Sequence, residues 1–156
     1  MSKRTTLAQL VTARWVEVIP TWDEVVESAR KAGAKWPELA GAQWFKDSHE
    51  GRICAAPFNY FGFHGGDEEG WNRSEDGFII FDTLDDGIAY LVERWHKDWK
   101  DCKGVNNADT RNEAAVRLVL EGYSHDPDYA TSMIQIMDNR TERPGDYPCP
   151  MPAIKS

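Results

Sequence analysis

Helical periodicity occupies both flanks of this chain and vanishes from its middle, and that change of period restricts the fold more than any single motif. From Thr21 to Asp47, and again from Thr83 onward, apolar residues return every three or four positions. Between residues 51 and 81 they do not. There Gly62, Gly65, Gly66, Gly70 and Gly77 punctuate aromatic and β-branched residues, ending in Phe78-Ile79-Ile80-Phe81. Such a stretch predicts a loop followed by a small antiparallel hairpin. The whole pattern predicts an α+β domain, mainly α, in which a small β-lobe interrupts a helical body.

The helices carry their own start and stop signals. Thr21-Trp22-Asp23-Glu24 is a capping box, and Val25, Ala29 and Ala32 follow before Gly33, which predicts a helix over 22–32. Pro37 opens a second helix in the first turn, where its missing N–H costs nothing. Trp36, Leu39, Ala40 and Trp44 form one stripe of it, and Gln43 and Asp47 fall on the same stripe, so an acid ends an inward-facing row. Thr83 opens a third, with Leu84, Ile88, Leu91, Val92, Trp95 and Trp99 on one face. Thr110-Arg111-Asn112-Glu113 caps a fourth, with Ala115, Val116, Val119 and Leu120 as its apolar positions, stopping at Gly122. Asp126-Pro127 precedes a last helix carrying Tyr129, Ala130, Met133, Ile134 and Met137. Residues 1–20 read as an arm or short helix and 21–139 as the folded domain. Residues 140–156, with Pro144, Pro148, Pro150 and Pro152, read as an extended tail.

At 156 residues the chain can bury a core without metal or disulfide staples. Its three cysteines, Cys54, Cys102 and Cys149, lack metal-ligand or disulfide-framework spacing and are expected as reduced thiols. A net charge of -8 argues against a phosphate-binding face, so nucleic acid is not expected as a partner. No apolar run is long enough for a membrane span, and the N-terminus lacks a signal-peptide core, so synthesis in the cytoplasm is expected. His49, Glu50 and His64 show no regular metal-ligand spacing, and no metal is expected. Seven Trp in so short a chain is an excess of aromatic surface that a function should explain.

Three segments carry a resemblance. They are Ala42-Gln43, then Phe58-Asn59-Tyr60-Phe61-Gly62, and late in the chain Gly122-Tyr123-Ser124-His125-Asp126-Pro127-Asp128-Tyr129-Ala130. Together with Phe81-Asp82-Thr83-Leu84 they resemble the glucosaminidase family of peptidoglycan hydrolases. This lysozyme-like group is related to mannosyl-glycoprotein endo-β-N-acetylglucosaminidases and includes phage-borne members. The likeness covers roughly residues 22–138 and implies a lysozyme-like helical domain. Alignment without a gap puts the family's catalytic Glu at Asp47. The Gly and aromatic positions that follow are His49 and Glu50, and the first Asn of the middle motif is Phe58.

The resemblance implies cleavage of the β-1,4 glycan of peptidoglycan at the bacterial cell wall, with no cofactor. Its departures leave open a domain that has lost hydrolysis and serves as a wall-binding or structural part of a phage particle, with other phage structural proteins as partners. Glycoside hydrolysis needs a proton donor whose pKa is raised by apolar surroundings, and usually a second carboxylate or substrate assistance. Asp47 is the candidate donor and Glu50 the other candidate acid; a structural or capping role for Asp47 is the competing reading. Asp67, Glu68, Glu69, Glu75 and Asp76 read as an exposed acidic turn. Asn59, Tyr60, Trp71, Tyr123 and Tyr129 are the candidate sugar contacts, the rings because an aromatic face can stack on a pyranose.

Overall fold

The capping signals place the helices where the chemistry of orphan N–H groups requires them. In the computed structural model, which describes residues 19–66, 70–96 and 104–142, α1 spans Trp22–Lys31. The Thr21 hydroxyl accepts from the Glu24 N–H at 3.1 Å, and the Glu24 carboxylate accepts from the Thr21 N–H at 2.8 Å. Helix α2, Pro37–Asp47, starts on its proline and buries Leu39, Ala40, Ala42, Gln43 and Trp44. Helix α3, Leu84–Trp95, begins on Thr83, whose hydroxyl accepts from the Asp86 N–H, and buries Ile88, Leu91, Val92 and Trp95. Trp99, the arm before Ile19, Asp67, Glu68, Glu69, and the prolines of the tail lie outside the described residues.

Helix α4, Arg111–Leu120, is capped by Thr110, while the Glu113 carboxylate meets Arg117 one turn on at 2.6 Å. Its buried face differs from the expected one. Ala114, Ala115 and Leu118 are buried, whereas Val116 and Leu120 are 43% and 54% exposed. Two apolar stripes compete on this helix, and packing against α5 selects one. Helix α5, Tyr129–Glu142, runs past Asn139 and brings Arg140 into the folded body. Among the described residues the secondary structure is five helices, a short 3-10 turn at Val105–Asn107 and two short strands. Helix α1 packs on α2 and α3, and α5 on α2 and α4, around a core that includes Trp44, Trp95, Leu91, Met133 and Met137. No helix among the described residues is long and apolar enough to cross a membrane.

The middle segment forms the expected small lobe. Strand β1, Asn72–Arg73, pairs antiparallel with β2, Ile79–Ile80, with Asn72 opposite Ile80. Glu75 and Asp76 are exposed in the turn between them. Two-residue strands contribute little by themselves. The lobe is held instead by a cluster of Ile79, Phe81 and Tyr90 with Phe58, Phe63 and Trp71 against it. It seats on α3 at Gly87, where an added Cβ would lie 2.2 Å from the Phe58 carbonyl oxygen. Backbone cannot give way as a flexible side chain can. Gly87→Ala is therefore expected to destabilise the fold by about 3 kcal/mol, read as a lower urea midpoint at unchanged slope.

Candidate functional site

Asp47 is the last residue of α2, and the chain returns to it from far away. The Tyr123 hydroxyl, just past the end of α4, donates to Asp47 Oδ2 at 2.6 Å. The Tyr129 hydroxyl, on the first residue of α5, donates to Oδ1 at 3.0 Å and Oδ2 at 3.1 Å. The two rings lie 5.7 Å apart, tilted at 40°. Tyr123 is positioned by a helix stop: Gly122 has φ +91°, and the Tyr123 N–H returns to the Leu118 carbonyl. Tyr129 is positioned by Asp126, whose carboxylate accepts from the Asp128 N–H and whose carbonyl accepts from the Tyr129 N–H.

The electrostatics of this cluster favour a carboxyl that holds its proton more tightly than usual. Burial raises the pKa of Asp47, opposed by the hydrogen bonds from Tyr123 and Tyr129 and by the charge of Lys46. Burial and the nearby Asp47 charge raise both phenols well above the usual range, so each stays a donor. Gln43, one turn earlier on α2, is 0% exposed, and neither polar atom of its carboxamide completes a hydrogen bond.

Glu50 sits differently. Burial raises its pKa as well, but Arg52 at 3.5 Å and Arg140 at 3.7 Å counter that and stabilise its charged form. It lines a cavity of about 280 Å³ with Lys46, His49, Arg52 and Ser132. Arg140 also lies over the Trp22 ring at 4.5 Å, so it ties α5 to the turn after α2 through Glu50 and to the start of α1 through Trp22. Arg140 fell in the tail by sequence; its place on the stripe of Met133, Ile136 and Met137, at helical spacing from each, is the signal that could have found it.

Of the five candidate sugar contacts, Tyr123 and Tyr129 converge on Asp47. Tyr129 is only 3% exposed, so it meets Asp47 through its hydroxyl from within the core. Asn59 does not face a groove. It is 0% exposed and its amide is spent on the lobe: Nδ2 donates to the Phe63 and Ile79 carbonyls and Oδ1 accepts from the Phe63 N–H, all at 2.9 Å. Tyr60, 5% exposed, packs in the core edge-on to Phe61 rather than on a surface. Trp71 is partly exposed and stands edge-on to Phe81 and Tyr90 in the lobe cluster. Burial pushes the Cys54 thiol up to about 12, leaving it without nucleophilic character. Among the described residues no group of three His, Cys, Asp or Glu could hold a metal ion.

The turn after Asp47 is strained in an informative way. His49 and Glu50 have φ +50° and +61°, and Phe58 has φ +56°, a region that glycine and asparagine enter most readily. Comparison with protein-family models, with curated proteins and with solved structures finds no match to this chain.

Proposed function

We propose that this chain is a glycoside hydrolase of lysozyme-like fold that cleaves the β-1,4 glycan backbone of bacterial peptidoglycan, with Asp47 as the proton donor. The observation that carries this reading is the convergence of Asp47, Tyr123 and Tyr129, from the two ends of the domain, on one carboxyl whose pKa is raised by burial. A buried acid held by neutral donors can deliver a proton to a departing glycosidic oxygen. Glu50, whose pKa burial raises against the opposing charges of Arg52 and Arg140, is the second candidate acid of this reading.

A second reading has its own support. Both Asp47 oxygens already accept from phenols, and Asn59 and Tyr60 are core residues, as suits a lysozyme-like domain that binds the wall, or builds a phage particle, without cutting glycan. Incubation with purified peptidoglycan separates the two. The hydrolase reading expects new reducing ends and soluble fragments. Folded protein that sediments with the wall and releases none would replace it with the binding or structural role.

A further inference from the structure

The turn after Asp47 is built more firmly than a surface connection requires. His49, Glu50 and Gly51 take φ +50°, +61° and +85° in succession, the first two at a steric cost that glycine is spared. Ser48, 0% exposed, holds the turn from beneath: its hydroxyl donates to the Trp44 carbonyl at 2.5 Å and accepts from the Gly51 N–H at 2.8 Å. The Glu50 N–H returns to the Phe45 carbonyl and the Ile53 N–H to the Ser48 carbonyl, both at 2.9 Å. Strain that the surroundings hold in place in this way gathers at ligand clamps. Here the turn forms one wall of the cavity of about 280 Å³ whose other walls are the end of α2 and the middle of α5.

We propose that this cavity binds a short peptide bearing free carboxylates, the chemistry of the peptide stems on peptidoglycan strands. The chain as a whole is acidic, with a net charge of -8, yet Lys46, His49 and Arg52 line the cavity against one carboxylate, that of Glu50. Arg52 at 3.5 Å and Arg140 of α5 at 3.7 Å already meet the Glu50 charge. Among the described residues neither Lys46 nor His49 is in an ion pair with a carboxylate. Such donors beside Arg52 suit a ligand carboxylate, which accepts from several N–H groups at once. The rest of the lining is that of a peptide site. Phe45 and Ile136 offer an apolar wall for small side chains, and the Ser132 hydroxyl and Gln135 carboxamide can pair with peptide N–H and C=O groups. A neutral sugar would leave the cations without an anion to meet. The groove lined by Asp23, Glu24, Glu27 and Asp85 has the opposite sign and would repel the same ligand. Lys46 precedes Asp47 on α2, and Ser132 follows Tyr129 by one turn on α5, so the peptide would lie beside the acid on the same two helices. Peptide recognition here rests on the reading of the chain as directed at peptidoglycan, and it adds a second part of that polymer to what the protein meets.

The test is titration of the full chain with the free stem peptide L-Ala-γ-D-Glu-L-Lys-D-Ala, followed by backbone amide NMR. The amides of His49, Arg52, Ser132 and Gln135 are expected to shift. The same peptide with its carboxylates amidated is expected to bind at least about ten-fold more weakly, and Lys46→Gln with Arg52→Gln to weaken the acid form to a similar degree. Both residues are exposed, so the double variant keeps the fold. Equal binding of the amidated peptide, shifts confined to other residues, or no shifts would overturn the proposal. So would displacement of the peptide by acetate or inorganic phosphate at equal concentration, which would mark a site for any small anion. Reducing ends released from peptidoglycan are measured in parallel. Fragments without peptide binding overturn this inference alone, whereas peptide binding without fragments supports it and overturns the hydrolase reading alone.

Discussion

Asp47→Asn is expected to lower the release of reducing ends from peptidoglycan by about 10²–10⁴-fold while leaving the melting temperature unchanged or higher. The activity half follows from the chemistry, because an amide cannot donate a proton to the leaving oxygen. The stability half follows from the sign of the pKa shift. The folded-state pKa of Asp47 lies above its ordinary value of 3.8, with burial outweighing the help of Tyr123, Tyr129 and Lys46. The folded chain therefore binds that proton more tightly than the unfolded chain does. The corresponding contribution to stability is fully present below about pH 3.8 and is lost as pH rises through the folded value. At neutral pH the ionised carboxylate is a burden on the fold, and the neutral Asn relieves it while its carbonyl still accepts from a phenol. Thermal unfolding should also lose the part of its pH dependence that Asp47 supplies. A fall in melting temperature at pH 7 would instead mark Asp47 as a structural clamp between α2 and α5.

Asn59→Leu is expected to destabilise the protein by about 4 kcal/mol and to loosen the β-lobe before the helical body. The substitution orphans two backbone groups, the Ile79 carbonyl and the Phe63 N–H, each worth about 1–3 kcal/mol when left unpaired in a shielded place, and removes one of the two donors to the Phe63 carbonyl, which keeps the Ile79 N–H at 3.0 Å. The two-residue strands cannot compensate. Urea unfolding gives the total, and amide exchange localises it: protection should collapse at Phe63 and Ile79 while the amides of α3 keep theirs. A loss below about 1 kcal/mol would mean that the aromatic cluster of Phe81, Tyr90 and Trp71 holds the lobe by itself.

Asn59 also shows why the surroundings of a candidate residue are not legible in the sequence. An Asn before aromatic residues in a Gly-rich stretch suits a turn or a sugar amide equally well. The choice was made by the Phe63 and Ile79 carbonyls, the second of them 20 residues away. Tyr60 was ambiguous for the same reason, since a ring's sequence neighbours do not say which side of the chain faces the core. On α4 the sequence offered two apolar stripes, and only its packing against α5 left Val116 and Leu120 exposed. The Asn106 clamp, which accepts from the Lys35 N–H and donates to the Gly33 carbonyl, had no sequence signal, because its partners are more than 70 residues distant.

What the sequence determined by itself was everything governed by near neighbours. Thr21, Thr83 and Thr110 start helices because a hydroxyl meets an orphan N–H three residues on, whatever surrounds them. The inward placement of Gln43 and Asp47 follows from the period of α2, and the hairpin from the loss of that period after Gly51. The tertiary structure alone decided what Asp47 meets there. Its phenol partners lie 76 and 82 residues away, so their arrival depends on α5 packing against α2 and on the stop at Gly122. It is that packing, by taking the carboxyl out of water, that raises its pKa.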